Sequence, residues 1–200
     1  GNSNLASEVL NFSEYLDGWT LVAVDYRGYG LSEGKPDEKK LYEDALLIYD
    51  ETASKPNIDK DRVVIMGYSL GSAIATYVAS KRPVNGVILA APFDSISNLV
   101  RNYIPLKIIE LLVKHKFDSL SRAPSISVPC LVLAAGKDAV VPGKNTMNLV
   151  KHWKGETRLC LLKNETHRSL IKDSKSWSAV RQFLLSLPEK KIGTAGTVKY

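Results

Sequence analysis

The sequence predicts an α/β protein whose mostly parallel sheet is flanked by helices. Apolar, β-branched runs recur along the chain and are too continuous to be half-exposed antiparallel strands. Between them lie segments whose apolar residues repeat at helical spacing. Strand and helix therefore alternate, as they do where crossover helices join parallel strands.

The runs that read as strands are 20–25, 62–67, 84–91, 129–136 and 157–163, each rich in Val, Leu or Ile. Leu5, Val9, Phe12 and Leu16 form a helical stripe behind the caps Ser3 and Asn4, and Gly18 stops it. Leu41, Ala45, Ile48 and Thr52 form a second stripe. Further helices are predicted at 70–81, 142–153 and 174–187, the last ending before Pro188. The interval from about 94 to 127 breaks this rhythm. It holds Pro105, Pro124 and an apolar-rich helix at 106–113, and reads as a small helical cap, with a ragged crossover helix as the plainer alternative. Residues 1–188 are expected to form one domain. Residues 189–200, with Lys190, Lys191, Gly193 and Gly196 and no apolar periodicity, are expected to be a disordered tail.

Apolar residues make up 44% of the 200 positions and charged residues 24%, proportions that suit one globular domain. The longest apolar runs, 84–92 and 130–135, fall far short of the roughly 20 residues a membrane-spanning helix needs. No basic stretch precedes an apolar one, so no signal peptide can be read. Location stays open between the cytoplasm and a membrane surface reached through upstream sequence. The net charge of +6 would suit an anionic partner. Lys and Arg are interleaved with acids, however, as in Asp37-Glu38-Lys39-Lys40 and Asp59-Lys60-Asp61-Arg62, and no nucleic-acid module is present, so no nucleic-acid partner is expected. Cys130 and Cys160 sit in apolar strand-like runs, where free cysteine behaves as a small hydrophobe; their spacing offers neither a metal site nor a disulfide scaffold.

The chemistry concentrates around Gly67-Tyr68-Ser69-Leu70-Gly71, which follows one predicted strand and opens one predicted helix. A serine on so sharp a turn is held in a strained conformation, with its hydroxyl lifted clear of the sheet, and the flanking glycines let strand and helix approach closely. The turn also sets Ser69 at a helix N-terminus, where the Leu70 N–H can face a developing oxyanion. A serine hydroxyl is a poor nucleophile at neutral pH and needs a base within hydrogen-bond reach, with a carboxylate behind it. Asp138 follows the run 131–137 and so lies at a strand's carboxyl end, where an open parallel sheet collects functional residues. His167 follows the next strand, which completes the chain order Ser, Asp, His. Of the 3 histidines, His115 and His152 lie in helical patterns flanked by lysines and read as surface residues. Asp94, just after 84–91, is the competing acid. The segment Gly28-Tyr29-Gly30-Leu31-Ser32-Glu33-Gly34 approaches a dinucleotide fingerprint, but its third glycine is displaced and Pro36 stands where a phosphate-binding helix would continue. It reads as a tight turn.

Asp25-Tyr-Arg-Gly-Tyr-Gly-Leu-Ser-Glu-Gly34, Gly67-Tyr-Ser-Leu-Gly71, Ala91-Pro-Phe-Asp94, Gly136-Lys-Asp-Ala-Val-Val-Pro142 and Thr166-His167 together resemble the α/β-hydrolase superfamily. The likeness is to its serine aminopeptidase-like and bud-emergence-type branch, which includes protein depalmitoylases. It extends from Gly1 to about Leu187 and implies an α/β-hydrolase fold with Ser69 as nucleophile, His167 as general base and Asp138 as orienting acid. It further implies that Gly1-Asn2 is the remainder of a His-Gly-Asn oxyanion segment, so that the Asn2 and Leu70 N–H groups form the oxyanion hole. One departure is that Arg168-Ser169 follows His167 where the branch more often has a small polar pair.

The same resemblance implies earlier strands, the third of which would lie between 20–25 and 62–67. The chain is therefore expected to be a fragment that folds poorly and is inactive alone. The implied reaction is acyl transfer to water from an ester, thioester or amide, needing no metal or organic cofactor. The implied partner is a small acyl-containing substrate or an acylated protein. Ile104, Leu106, Ile108, Ile109, Leu111, Leu112 and Val113 in the cap point to an apolar acyl group. A serine instead of an aspartate at position 69 argues against dehalogenase or epoxide hydrolase chemistry. The alternatives are a serine peptidase of the same fold and a non-catalytic binding protein.

Overall fold

A computed structural model describes residues 12–30, 32–101 and 114–188. Among the described residues four strands are paired in chain order, β1 (Val64–Tyr68), β2 (Gly86–Ala90), β3 (Cys130–Ala135) and β4 (Thr157–Leu162), every pair parallel. Around them lie α1 (Glu38–Ala53), α2 (Leu70–Ala79), the short α3 (Ile96–Val100), α4 (Gly143–His152) and α5 (Ser174–Ser186).

The continuous apolar runs follow from burial on both faces of the sheet. Successive side chains of a strand point to opposite sides. Ile88, Ala90, Leu131 and Leu133 therefore pack with Trp177, Val180 and Phe183 of α5. Val87, Leu89, Cys130 and Val132 pack the other way, against Ala75 of α2 and Leu149 of α4. α1 lies outside α2, with Leu41 and Tyr42 against Ala73 and Ile74, and the Tyr42 and Tyr77 rings stacked 4.0 Å apart. The starts of α1 and α5 are capped by aspartates. The Asp37 side chain accepts from the Lys39 and Lys40 N–H groups, and that of Asp173 from Lys175, satisfying donors that a helix leaves free in its first turn.

Some sequence expectations change. The run 20–25 pairs with no strand among the described residues, and Val22 and Val24 are 50% and 39% exposed. Apolar character reports a tendency to bury; a strand also requires a neighbouring ladder, and among the described residues β1 pairs only with β2. The strand expected from 157 does form, but it borders the described sheet and leaves Leu159 and Leu161 exposed. Cys160 on it is only half-buried, unlike the fully buried Cys130. Of the first predicted helix, the described part is a 3-10 turn, Ser13–Leu16, closed by Asp17 and Gly18 at positive φ. Between 94 and 127 the described residues hold α3 and a 3-10 turn, Ala123–Ser125; the helix expected at 106–113 and the tail 189–200 lie outside the described residues.

Leu133 is 1% exposed between two strands and α5, whereas Leu47 on α1 is 57% exposed. Leu133→Ala should therefore cost about 2–5 kcal/mol in urea unfolding, and Leu47→Ala no more than about 0.5 kcal/mol.

Candidate active site

Ser69 is the single residue between β1 and α2, at φ 52° and ψ −116°. A left-handed φ on a non-glycine residue costs about 1–3 kcal/mol and persists only where its surroundings enforce it. Here they do. The Ser69 N–H donates to the Ala90 carbonyl at 2.9 Å, and the Ser69 carbonyl accepts from Ser72 Oγ at 2.6 Å. A Cβ on Gly67 would stand 2.1 Å from the Gly71 carbonyl oxygen, so the glycine before the serine lets the helix start this close to the strand. Leu70 is the first residue of α2, and its N–H has no acceptor within the helix.

Loops after β3 and β4 bring the other predicted residues to Ser69. A Cβ on Gly136 would meet the Lys163 carbonyl oxygen at 2.4 Å, so the two loops leave the sheet in close contact. The Lys137 N–H donates to the Glu165 carbonyl at 2.9 Å and ties them further. Asp138 then receives the N–H groups of Val140 and Val141 on Oδ1, at 2.8 and 2.7 Å, which leaves Oδ2 facing His167. His167 Nδ1 lies 2.8 Å from Asp138 Oδ2, and its Nε2 lies 3.0 Å from Ser69 Oγ. The side chains of His167 and Asp138 are 12% and 4% exposed, so the row is largely shielded from water.

Asp94 takes a different place. It is 2% exposed and accepts from the Ser95 N–H and from the side-chain amides of Asn98, Asn145 and Asn148 at 2.7–2.9 Å. Its oxygens join α3 to α4 and leave the His167 Nδ1 position to Asp138. His152 is exposed on α4 as expected. His115 differs from expectation, for it lies outside any helix, is half-buried, and accepts the Glu38 N–H at the start of α1. Arg168-Ser169 has a local role, since Ser169 Oγ accepts from the Thr166 N–H at 2.9 Å and fixes the turn bearing His167. Asn2 lies outside the described residues.

The glycine-rich segment is a turn. Gly28, Gly30 and Gly34 all have positive φ, the Gly28 N–H donates to the Ser32 and Glu33 carbonyls, and no helix follows until Glu38. Arg27 forms a two-point ion pair with Asp44, which fastens the turn to α1 and, chiefly through that hydrogen bond, holds the Asp44 carboxyl below its ordinary range. Burial pushes the neighbouring Tyr26 hydroxyl up to about 12. The sequence reading missed Tyr68, whose hydroxyl donates to the His167 backbone carbonyl at 2.8 Å. Only its place beside Ser69 could have drawn attention to it.

A parallel sheet covered on both faces, with a strained serine at a strand-to-helix turn, defines the α/β-hydrolase fold. The structure superposes on the Pyrococcus furiosus esterase Pf2001 with a TM-score of 0.71 at 19% identity, covering 92% of this chain and 78% of that one. A model of the serine aminopeptidase family, S33, matches residues 11–109, a stretch that includes Ser69. An uncharacterized protein of Mycobacterium tuberculosis is 31% identical over 170 residues, which are 84% of this chain and 60% of that protein. The lysophosphatidylserine lipase ABHD12 of Danio rerio is 32% identical over 143 residues, 62% of this chain and 37% of the lipase. The chain thus spans about three fifths of the length of the mycobacterial relative.

Glycine substitutions test the turn. Gly67→Ala should destabilise the chain severely in thermal melts, because backbone must move to admit the methyl group. Gly143→Ala, where a Cβ meets nothing within 4 Å, should be neutral or stabilising by about 0.4–1 kcal/mol.

Proposed function

We propose that this chain is the catalytic portion of a serine hydrolase that cleaves acyl esters or thioesters through an acyl-enzyme. The observation that carries the proposal is the hydrogen-bonded row from Asp138 through His167 to Ser69, with the serine presented on a strained turn. Ser69 Oγ attacks the substrate carbonyl while His167 Nε2 takes its proton. Asp138 orients the ring through Nδ1 and stabilises the imidazolium that forms. The Leu70 N–H, and the Asn2 N–H by the resemblance, hold the oxyanion. The tetrahedral intermediate then collapses, the leaving group departs with the proton from His167, and Ser69 is left acylated. Water, deprotonated by His167, attacks the acyl-enzyme; the carboxylic acid leaves and Ser69 recovers its proton.

A lipase among the relatives and an esterase among the structural neighbours support ester chemistry. The substrate class that fits is a small acyl-containing molecule or an acylated protein; the thioester choice rests on the resemblance to the branch that holds depalmitoylases. The match to a serine aminopeptidase model supports a second reading, amide cleavage by the same three residues.

Turnover of p-nitrophenyl acyl esters and of acyl-thioester and aminoacyl amide substrates tests and sorts these readings. In the full-length protein that carries this chain, Ser69→Ala should lower kcat by roughly a millionfold, and Asp138→Asn by about ten-thousandfold. Activity in Ser69→Ala above about a hundredth of the parent's would overturn the assignment of Ser69, since triad losses are far larger than that.

A further inference from the structure

His167 reaches Ser69 from the far side of the sheet. Its loop follows β4, whereas Ser69 follows β1, and β2 and β3 lie between those strands. The Ser69–His167 distance therefore depends on what holds the loop to β1. Asp138 fixes the imidazole from the β3 side through Nδ1. Ser169 and Thr166 stiffen the turn within itself. Neither ties the loop to the strand that carries the serine.

Tyr68 does. It is the last residue of β1, held in the parallel ladder opposite Ala90, and it immediately precedes Ser69. Its ring packs beside the imidazole, with centroids 5.1 Å apart and planes at 37°, and its hydroxyl donates to the backbone carbonyl of His167 at 2.8 Å. Since Tyr68 and Ser69 are covalent neighbours on a rigid strand end, this bond fixes the His167 backbone relative to the serine hydroxyl. Small errors in such a distance have large effects on reaction rate.

Resting on the serine-hydrolase reading above, we propose that Tyr68 is a positioning residue whose hydroxyl sets the Ser69–His167 geometry by anchoring the histidine loop to the nucleophile's own strand. In the full-length protein that carries this chain, Tyr68→Phe keeps the ring and removes the hydroxyl that donates to the His167 carbonyl. The variant should lose about three- to tenfold in both kcat on p-nitrophenyl butyrate and the rate of fluorophosphonate labelling, the size of one ordinary hydrogen bond, with KM unchanged within about twofold. Rates are taken per molecule competent in active-site titration, which separates positioning from partial unfolding. Because Tyr68 and Asp138 act on the same histidine, the cost of Tyr68→Phe measured in an Asp138→Asn background should differ from its cost in the parent by more than about twofold. A merely structural tyrosine would lower the melting temperature and leave the rate per titrated site at the parental value, and that result would overturn the proposal. Absence of labelling in the full-length protein that carries this chain would instead overturn the serine-hydrolase reading.

Discussion

The close passage of the Gly67 backbone against Gly71 is the contact on which the site depends. It lets β1 turn directly into α2 with Ser69 as the only residue between them, and this places the serine at positive φ. A larger residue at 67 would push the helix from the strand, and the hydroxyl would sink back toward the sheet. The strain at Ser69 is offset by the hydrogen bonds from the Ser69 N–H to Ala90 and from Ser72 Oγ to the Ser69 carbonyl, and by the burial of α2 on the sheet. The strained geometry is thus enforced by packing, and the Leu70 N–H at the start of α2 comes with it.

The same device recurs at the other end of the site. Gly136 lets the loop after β3 run against the loop after β4, so Asp138 and His167 are neighbours although 29 positions apart. Two glycine contacts, one at each loop pair, therefore fix three side chains whose strands occupy separate places in the sheet. Asp94, buried under three asparagine amides, performs a related task by joining α3 to α4.

What was legible in the sequence, and what was not, divides along physical lines. β2 and β3 are buried on both faces, and double burial leaves a continuous apolar run that can be read directly. The serine turn was legible because a glycine pair around a serine between strand and helix has a steric cause. Periodicity records burial and cannot record pairing, so 20–25 looked like a strand without having one beside it among the described residues. It also could not tell that β4 would border the described sheet, with Leu159 and Leu161 exposed. Chain order brought Ser69, Asp138 and His167 forward, yet left Asp94 in competition. Only the three-dimensional path of the loops separates the two acids, and only that path brings Tyr68 to the His167 carbonyl.

An activated Ser69 nucleophile is open to covalent mapping. The full-length protein that carries this chain is treated with a fluorophosphonate, digested, and its peptides weighed. A single phosphonylated peptide is expected, the one containing Ser69, formed in proportion to folded protein and suppressed when His167 is replaced by alanine. Modification of a different residue, or labelling of Ser69 at the same rate without His167, would contradict it.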